Sequence, residues 1–263
     1  MSLSYLAVAI QAALQAGAVA RNMIGQVNIE HKGRIDLVTD ADKAVEREIV
    51  RILRGAFPEH AILAEETGTS GDNAYCWYID PIDGTTNYAH GFPVYAVSIG
   101  LAEADRLLVG VVYLPATDEL FTAELGGGAM LNGVPLRVSD TETLLNSLLV
   151  TGFPYTAHDD SDNNLDHYGN FLTRCQGIRR TGSAAYDLVR TAQGCFDGYW
   201  ESGLYAYDMA AGALIVQEAG GVISDYDGGP WSLHGGKIVA ANPHIHQAML
   251  DVLKLGKTGM HAG

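Results

Sequence analysis

The sequence predicts a layered α/β fold of the α+β type, with an antiparallel-rich sheet in the N-terminal half and a mixed sheet in the C-terminal half. Apolar runs over residues 94–102, 107–114 and 120–123 follow one another across short polar connections, a spacing typical of an antiparallel meander. From residue 147 onward, predicted strands alternate with predicted helices, which indicates mixed sheets covered by helices.

The first half is predicted to begin with a helix and to continue with short strands. Apolar residues recur at helical spacing near the N-terminus, so we predict a buried amphipathic helix there. Its core-facing stripe consists of Leu3, Leu6, Ile10, Leu14 and Ala18. Two extended arms surround Lys32 and Gly33 within residues 27–38, and Thr39 or Asp40 caps a second helix. Further predicted elements are strands over 61–64 and 76–79 and tight turns over 126–128 and 132–133.

The second half continues with the alternating elements, and the whole chain is predicted to form one domain. The predicted strands cover residues 147–151, 178–180, 196–201 and 237–241, and the predicted helices cover 165–174, 184–193, 209–219 and 243–255. We expect a single domain over residues 1–263, with approximate halves 1–145 and 146–255 and a flexible tail over 256–263.

The composition is that of an ordinary globular protein with a strong negative charge. Of the 263 residues, 48% are hydrophobic and 18% charged, and 31 Asp+Glu against 16 Lys+Arg give a formal net charge of −15. Nucleic acids and anionic membranes are bound by clustered basic residues, so neither is an expected partner. Three widely spaced cysteines without a C-x-x-C motif favour a reducing, cytoplasmic location over a disulfide framework or a zinc site.

Acidic residues gather at four points where predicted strands end or helices begin. These points are residues 36–42, Glu65 with Glu66, residues 80–87, and Asp208. Carboxylates and backbone carbonyls are the hard oxygen donors that Mg²⁺ prefers. Each point also has a purely structural interpretation: helix capping around residues 39–40, a solvated strand end at 65–66, a β-turn at 80–84, and a helix N-cap at 208.

The third of these points combines features of a metal site and of a phosphate site. Pro81 is predicted to fix a turn that directs Asp80 and Asp83 towards one place, with the Ile82 carbonyl between them. Small residues follow, at a turn or helix start whose free N–H groups favour a phosphate. Carboxylates beside such a turn would repel an anion unless cations lay between them, which favours metal-bridged phosphate chemistry.

These motifs resemble, in the same order, those of the inositol monophosphatase family, and the resemblance extends from the first helix to about residue 250. The run 80–87 resembles one family signature and the run 200–221 resembles a second, while residues 36–42, 65–66 and 182–185 also match. The resemblance implies an αβαβα layered sandwich, a homodimer, and Mg²⁺-dependent, lithium-sensitive hydrolysis of small phosphate monoesters.

The resemblance also implies a role for each matching residue. It assigns a first Mg²⁺ to Glu65, Asp80 and the Ile82 carbonyl, a second to Asp80, Asp83 and Asp208, and a third, weaker ion to Glu65 through water. Activation of the attacking water falls to Asp42, Glu65 and Thr85, and phosphate binding to the N–H groups of Gly84 and Thr85. Contacts with the substrate fall to Gly182, Ser183, Ala184, Glu201 and Asp208. Lys32, or by spacing His31, would lie on a mobile flap. Ser183 replaces a common Thr and keeps the hydroxyl group.

The predicted function is the hydrolysis of myo-inositol monophosphates to inositol and phosphate by metal-activated water. Alternatives within the superfamily are fructose-1,6-bisphosphatase, histidinol-phosphate phosphatase and 3′-phosphoadenosine-5′-phosphate phosphatase. Thr86, Asn87 and Glu201 favour the inositol type. A different class of function is a binding or scaffold role in a larger assembly. The joint presence of all the acidic residues argues against that as the sole role.

Overall fold

The computed structural model describes residues 4–31 and 37–256, with the side chain of His31 excluded. Leu3, Lys32, Asp36 and the predicted tail from residue 257 onward lie outside the described residues. The helices are α1 (Tyr5–Met23), α2 (Asp40–Ala56), α3 (Thr85–Ala89), α4 (Leu165–Leu172), α5 (Ala184–Ala192), α6 (Ala206–Glu218) and α7 (His246–Leu253). Within the described ranges, no helix is long and apolar enough to cross a membrane.

The N-terminal half forms a small hairpin and a large, mostly antiparallel sheet. The hairpin pairs β1 (Ile29–His31) with β2 (Leu37–Thr39), as predicted for the two arms. The large sheet contains β3 (Ala61–Ala64), β4 (Gly68–Ser70), β5 (Tyr75–Asp83), β6 (Ala96–Glu103), β7 (Arg106–Leu114), β8 (Glu119–Glu124), β9 (Gly128–Leu131) and β10 (Val134–Pro135). Its order is β10-β9-β8-β7-β6-β5-β3-β4, and only the β3–β5 pair is parallel among these described strands. The predicted meander is β6–β7–β8, and it is confirmed.

The C-terminal half forms a mixed sheet. Its strands are β11 (Leu148–Thr151), β12 (Gly177–Arg179), β13 (Gly198–Ser202), β14 (Val222–Ser224) and β15 (Lys237–Ala241), in the order β12-β11-β13-β15-β14. The pairs β11–β12 and β11–β13 are parallel, whereas β13–β15 and β14–β15 are antiparallel. The prediction of a mixed second sheet is therefore confirmed.

The helices and sheets stack in the predicted αβαβα order. Helices α1 and α2 pack against one face of the large sheet and bury the cluster that includes Ile49 and Trp77. Helices α5 and α6 lie between the two sheets, where Leu188 and Met209 are fully buried. Helices α4 and α7 cover the outer face of the second sheet. The ends of β5 and β13 and the starts of α5 and α6 line one cavity, and the start of α2 lies behind it.

The buried face of α1 differs from the prediction. Leu14, placed on the core-facing stripe, is 40% exposed, and the buried face consists of Val8, Ala9, Ala12, Ala13, Ala16, Gly17 and Ala20. A side chain at Gly17 would collide with the ring of Tyr113 on β7. Small residues therefore face the core because they let the helix backbone approach the sheet closely. Leu14 lies on the outer side, whereas Leu6 and Ile10 of the predicted stripe are partly buried and pack against the core.

Candidate active site

Most of the residues predicted for the site line one cavity of about 600 Å³. The predicted residues that line it are Glu65, Asp80, Ile82, Asp83, Gly84, Thr85, Gly182, Ser183, Ala184, Glu201 and Asp208. Asp42 lies behind the lining and is fully buried. Lys32 falls outside the described residues, and only the backbone of His31 is described. The structure thus brings together side chains from both halves of the chain, separated by more than a hundred positions.

The start of α2 presents Asp42 to the cavity wall. Thr39 is the N-cap, one of the two residues predicted for it, and its hydroxyl oxygen accepts from the Ala41 and Asp42 N–H groups. Asp42 Oδ2 in turn accepts from Thr39 N at 2.8 Å and Thr39 Oγ1 at 2.6 Å. The other oxygen, Oδ1, accepts from Thr85 Oγ1 at 3.0 Å. Burial raises the pKa of Asp42, and the hydrogen bonds from Thr39 and Thr85 act in the opposite direction.

The end of β5 carries the central acidic motif, but not as the β-turn that was predicted. The strand continues through Pro81 to Asp83, and its register with β6 shifts between Asp80 and Asp83. Sheet pairing therefore overrides the local turn preference, and a bulge aims both carboxylates. The change of direction begins at Gly84, which has φ of 97°. A Cβ at this position would also lie 3.0 Å from Val94 O.

Asp83 connects the two halves of the protein. Its Oδ2 accepts from Ser183 Oγ at 2.8 Å and from the N–H of Ala185, at the beginning of α5. Burial nevertheless raises the pKa of Asp83 to about 6, because its effect is larger than that of these hydrogen bonds. Ser183 also caps α5 by accepting from Tyr186 N at 3.3 Å.

Asp80 is a buried acid at the centre of the site. It is 3% exposed, and its Oδ1 has no hydrogen-bond partner among the described residues. Burial raises the pKa of Asp80 well above its usual value, and the neighbouring charges of Glu65, Asp83 and Asp208 raise it further. An anionic group with a buried, unpartnered oxygen is costly without a cation or a proton.

Asp208 joins the group from the first turn of α6. The prediction that it is the N-cap of its helix is wrong, because the N-cap of α6 is Tyr205. Asp208 lies in the first turn instead, where its Oδ2 accepts from Tyr205 N at 2.7 Å. Burial and the nearby charge of Asp83 raise the pKa of Asp208 well above its usual value.

The chemistry of these donors fits a hard divalent cation. The cavity presents carboxylates that repel one another, and a buried Asp80 oxygen has no donor in the described part of the chain. Mg²⁺ prefers such oxygen ligands. In residues 4–31 and 37–256, however, no three His, Cys, Asp or Glu side chains lie close enough together to hold one ion as they stand. Asp83 and Asp208 each direct one oxygen to donors of the chain itself.

Glu201 lines the cavity from the end of β13. It follows the buried Tyr199 and Trp200 on β13, and its Oε2 accepts from Tyr199 Oη at 2.8 Å. Burial raises the pKa of Glu201 to about 7, while the Tyr199 hydrogen bond opposes this shift. A carboxylate in this position can accept hydrogen bonds from the hydroxyl groups of a bound molecule.

Sequence reasoning missed several residues of the site. Glu46 is 1% exposed, lies one helical turn after Asp42, and accepts from Glu66 N at 2.8 Å. A charged residue on the apolar face of α2 was the available signal for it. Arg180 is the only basic side chain among the described residues that line the cavity. Tyr205, at the cavity mouth, gave no pattern from which its place could be inferred.

Comparisons with known proteins agree with this geometry. A sequence profile described as the Inositol monophosphatase family matches residues 2–254. A protein named Inositol-1-monophosphatase from Synechocystis sp. is 50% identical over 254 residues, which make up 95% of this chain and 88% of that protein. A protein named Nus factor SuhB from Pseudomonas aeruginosa is 45% identical over 258 residues, or 95% of each. The solved structure of an inositol monophosphatase from Anabaena (Nostoc) sp. has a TM-score of 0.89 and 44% identity, over 96% of both chains.

Proposed function

Because the chain belongs to the inositol monophosphatase family and is a phosphatase, we propose that it hydrolyses myo-inositol monophosphates with the help of Mg²⁺. The observation that carries the proposal is the group of buried carboxylates around Asp80, whose Oδ1 has no hydrogen-bond donor within residues 4–31 and 37–256. Such a group attracts cations, and cations allow a phosphate to approach an acidic cavity.

The proposed metal ligands are the oxygens that face the cavity. Glu65, Asp80 and the Ile82 carbonyl would hold one ion, Asp80, Asp83 and Asp208 a second, and Glu65 a third through water. When bound, Mg²⁺ supplies positive charge for the phosphate oxygens and the leaving group and makes a water molecule more acidic. The protein contributes the fixed positions of these ligands through β5 and the start of α6.

Asp42 and Thr85 are proposed to orient and deprotonate the attacking water, with Glu65 beside them. Thr85 Oγ1 lies 3.0 Å from Asp42 Oδ1 and 3.1 Å from Ile82 O. The Thr85 hydroxyl donates to Asp42, so its oxygen lone pairs are free to face the water. As water gives a proton to Thr85 Oγ1, the hydroxyl proton of Thr85 passes to the Asp42 carboxylate. The N–H groups of Gly84 and Thr85 donate to the phosphate oxygens.

Recognition of the leaving group is proposed to involve the second half of the chain. Glu201 accepts hydrogen bonds from substrate hydroxyls, and Asp208 contributes to the same surface. Gly182, Ser183 and Ala184, at the start of α5, lie on the adjoining wall of the cavity. Their position supports contacts with a polyol held above the metal ligands.

A substrate panel tests the proposal against its alternatives within the superfamily. The panel contains myo-inositol 1-phosphate, fructose 1,6-bisphosphate, histidinol phosphate and 3′-phosphoadenosine 5′-phosphate, each assayed with Mg²⁺. We expect the highest kcat/KM for the inositol phosphate. A higher value for any of the other three would replace the proposed substrate with that compound.

A second role as a protein factor is supported by one comparison. The relative from Pseudomonas aeruginosa bears the name Nus factor SuhB, and its identity of 45% extends over nearly the whole chain. We propose that a binding role in a larger assembly accompanies hydrolysis. A strain that carries an inactive but folded variant as its sole copy would separate the two roles. A phenotype milder than that of a full deletion supports the binding role, and identical phenotypes contradict it.

We further propose that the enzyme is a lithium-sensitive homodimer of the cytoplasm. All three cysteines are unpaired, as is usual in a reducing compartment. The dimer and the inhibition by lithium rest on membership in the family. Light scattering would give the mass in solution, for which we expect about twice the 28.0 kDa of one chain.

A further inference from the structure

Strand β13 directs Tyr199 and Glu201 towards the same side. Alternate residues of a strand project to the same face, so the tyrosine lies beside the glutamate rather than across the sheet from it. Tyr199 is fully buried, and its Oη donates to Glu201 Oε2 at 2.8 Å. Burial and the charge of Glu201 raise the pKa of Tyr199 well above its usual value, so the phenol keeps its proton and remains a donor.

Gly152 closes the other side of the Glu201 carboxylate. It follows β11, which is parallel to β13, and it lines the same cavity. A Cβ at this position would collide with Oε1, Cδ and Oε2 of Glu201. The φ angle of Gly152 is not in the left-handed region, so a side chain is excluded there by the carboxylate and not by the backbone conformation.

Asn164 fixes the two segments that enclose the carboxylate. It is 3% exposed, and its Nδ2 donates to Gly152 O at 2.6 Å and to Thr151 Oγ1 at 2.9 Å. Its Oδ1 accepts from Trp200 Nε1 at 2.8 Å. Trp200 points to the opposite face of β13, where it stacks on Phe171 with ring centroids 4.1 Å apart. One buried amide therefore ties Gly152 to the strand that carries Glu201, and leaves the carboxylate little freedom to move.

We propose that Tyr199 and Gly152 are positioning residues that hold the Glu201 carboxylate at the cavity wall, and so determine the preference for phosphate monoesters whose leaving group carries hydroxyls. This inference rests on the proposed function, because it assumes that Glu201 receives those hydroxyls. A misplaced carboxylate would weaken the binding of a polyol phosphate. It would not alter the binding of a phosphate ester that has no hydroxyl to offer.

The test compares two substrates in the full-length protein with Mg²⁺ present. Myo-inositol 1-phosphate offers hydroxyls to Glu201, and p-nitrophenyl phosphate offers none. The variants are Tyr199→Phe, which removes only the donor, and Gly152→Ala, which pushes the carboxylate away. Tyr113→Phe is the matched control, because Tyr113 is also buried and donates to a carboxylate, Asp118, away from the cavity. Glu201→Gln serves as the reference for loss of recognition.

We expect Tyr199→Phe to lower kcat/KM for the inositol phosphate about tenfold, mainly because KM rises. The same variant should change kcat/KM for p-nitrophenyl phosphate less than about twofold. Gly152→Ala should shift the ratio of the two kcat/KM values in the same direction, and Tyr113→Phe should leave it unchanged. A merely structural role would lower turnover of both substrates equally.

Three results would overturn the proposal, and they separate it from the proposed function. If Glu201→Gln lowers selectivity but Tyr199→Phe and Gly152→Ala do not, the positioning role is wrong and polyol recognition by Glu201 stands. If all of these variants lower kcat/KM for both substrates equally, Tyr199 and Gly152 do not act through recognition of the polyol. If the wild-type protein hydrolyses no phosphate monoester with Mg²⁺, the proposed function fails and this inference fails with it.

Discussion

Thr85 Oγ1 lies 3.0 Å from Asp42 Oδ1, so a buried hydrogen bond joins the first turn of α3 to the first turn of α2. Thr39 holds the other Asp42 oxygen at 2.6 Å through its hydroxyl. The Asp42 carboxylate is therefore fixed in one orientation, and the Thr85 hydroxyl lies between it and the cavity. That relationship connects the helix cap of α2 to the proposed activation of water.

Replacement of Thr85 tests this pair directly. Thr85→Ala is expected to lower kcat at least about 10²-fold, because a positioned group in proton transfer typically contributes about 10²–10⁴-fold. Thr85→Ser retains the hydroxyl and should retain most of the activity. Phosphate release at saturating substrate and Mg²⁺ measures both. If Thr85→Ala has the wild-type kcat, the pair has no part in water activation.

Asp80→Asn should affect activity and stability in opposite directions. Loss of a central charge is expected to reduce turnover at least about 10²–10³-fold. In the presence of a chelator, the neutral amide should raise the melting temperature, because it removes a desolvated charge that three other carboxylates repel. Thermal unfolding measures the effect on stability, and phosphate release measures the effect on turnover. Asp72→Asn is the control, because it makes the same substitution at an exposed position.

The wild-type protein should also be stabilised by Mg²⁺, by about 2.7 kcal/mol at a concentration 100 times its Kd. Asp80→Asn should lose most of that gain. An equal Mg²⁺-dependent gain in both proteins would exclude Asp80 as a metal ligand.

Glu46 is predicted to support the metal ligand Glu65 through the neighbouring backbone. Its carboxylate accepts from Glu66 N at 2.8 Å, so Glu46→Ala should shift the β3–β4 turn that carries Glu65. Substitutions behind metal ligands cost about 10–100-fold in metal affinity, and we expect the Mg²⁺ concentration for half-maximal activity to rise about tenfold. Glu46→Gln keeps an acceptor and should change it little. Unaltered Mg²⁺ dependence in Glu46→Ala would limit Glu46 to a structural role.

Because Asp187 is a buried acid, we expect the free energy of unfolding of the metal-free protein to depend on pH. Its Oδ1 accepts from Thr181 Oγ1, while its buried Oδ2 has no hydrogen-bond partner in the described part of the chain. Burial raises the pKa of Asp187 well above its usual value, and the charges of Glu201 and Asp83 add to this. Because the folded state then binds the proton more tightly than the unfolded state, its contribution to stability is complete below the unfolded pKa and is lost as the pH rises through the folded pKa.

Asp187→Asn should remove this loss while keeping an acceptor for Thr181. Urea unfolding in a chelator, from about pH 5 to about pH 8, should therefore find the variant more stable than the wild type, by a margin that grows with pH. A margin that shrinks as the pH rises would mean that Asp187 is ionised and stabilised in the fold.

Local signals predicted much of the fold and of the acidic cavity. The Thr39 cap, the β6–β7–β8 meander and the alternation after residue 147 depend on residues close together in sequence, and the structure has them. Two short strands were not predicted. The strands β4 and β14 are three residues long, too short for a recognisable sequence pattern, and are defined by their pairing with β3 and β15.

The failures at single residues arise where sheet pairing or tertiary packing overrides a local preference. Pro81 has a strong turn preference, but pairing of β5 with β6 continues past it and produces a bulge. Leu14 is apolar and correctly spaced, but close packing of α1 on Tyr113 selects the small-residue face. The contacts of Glu46 with Glu66 and of Asn164 with Trp200 span 20 and 36 residues, distances over which the sequence contains no pairing signal.

The most direct test is phosphate release from myo-inositol 1-phosphate at increasing Mg²⁺ concentration, starting from chelator-treated protein. We expect turnover that is close to zero in the chelator, rises to a plateau with Mg²⁺, and stays at least about 10²-fold lower in Asp80→Asn at every concentration. Turnover that is the same with and without Mg²⁺, or a lack of turnover at all Mg²⁺ concentrations, would contradict the proposed function.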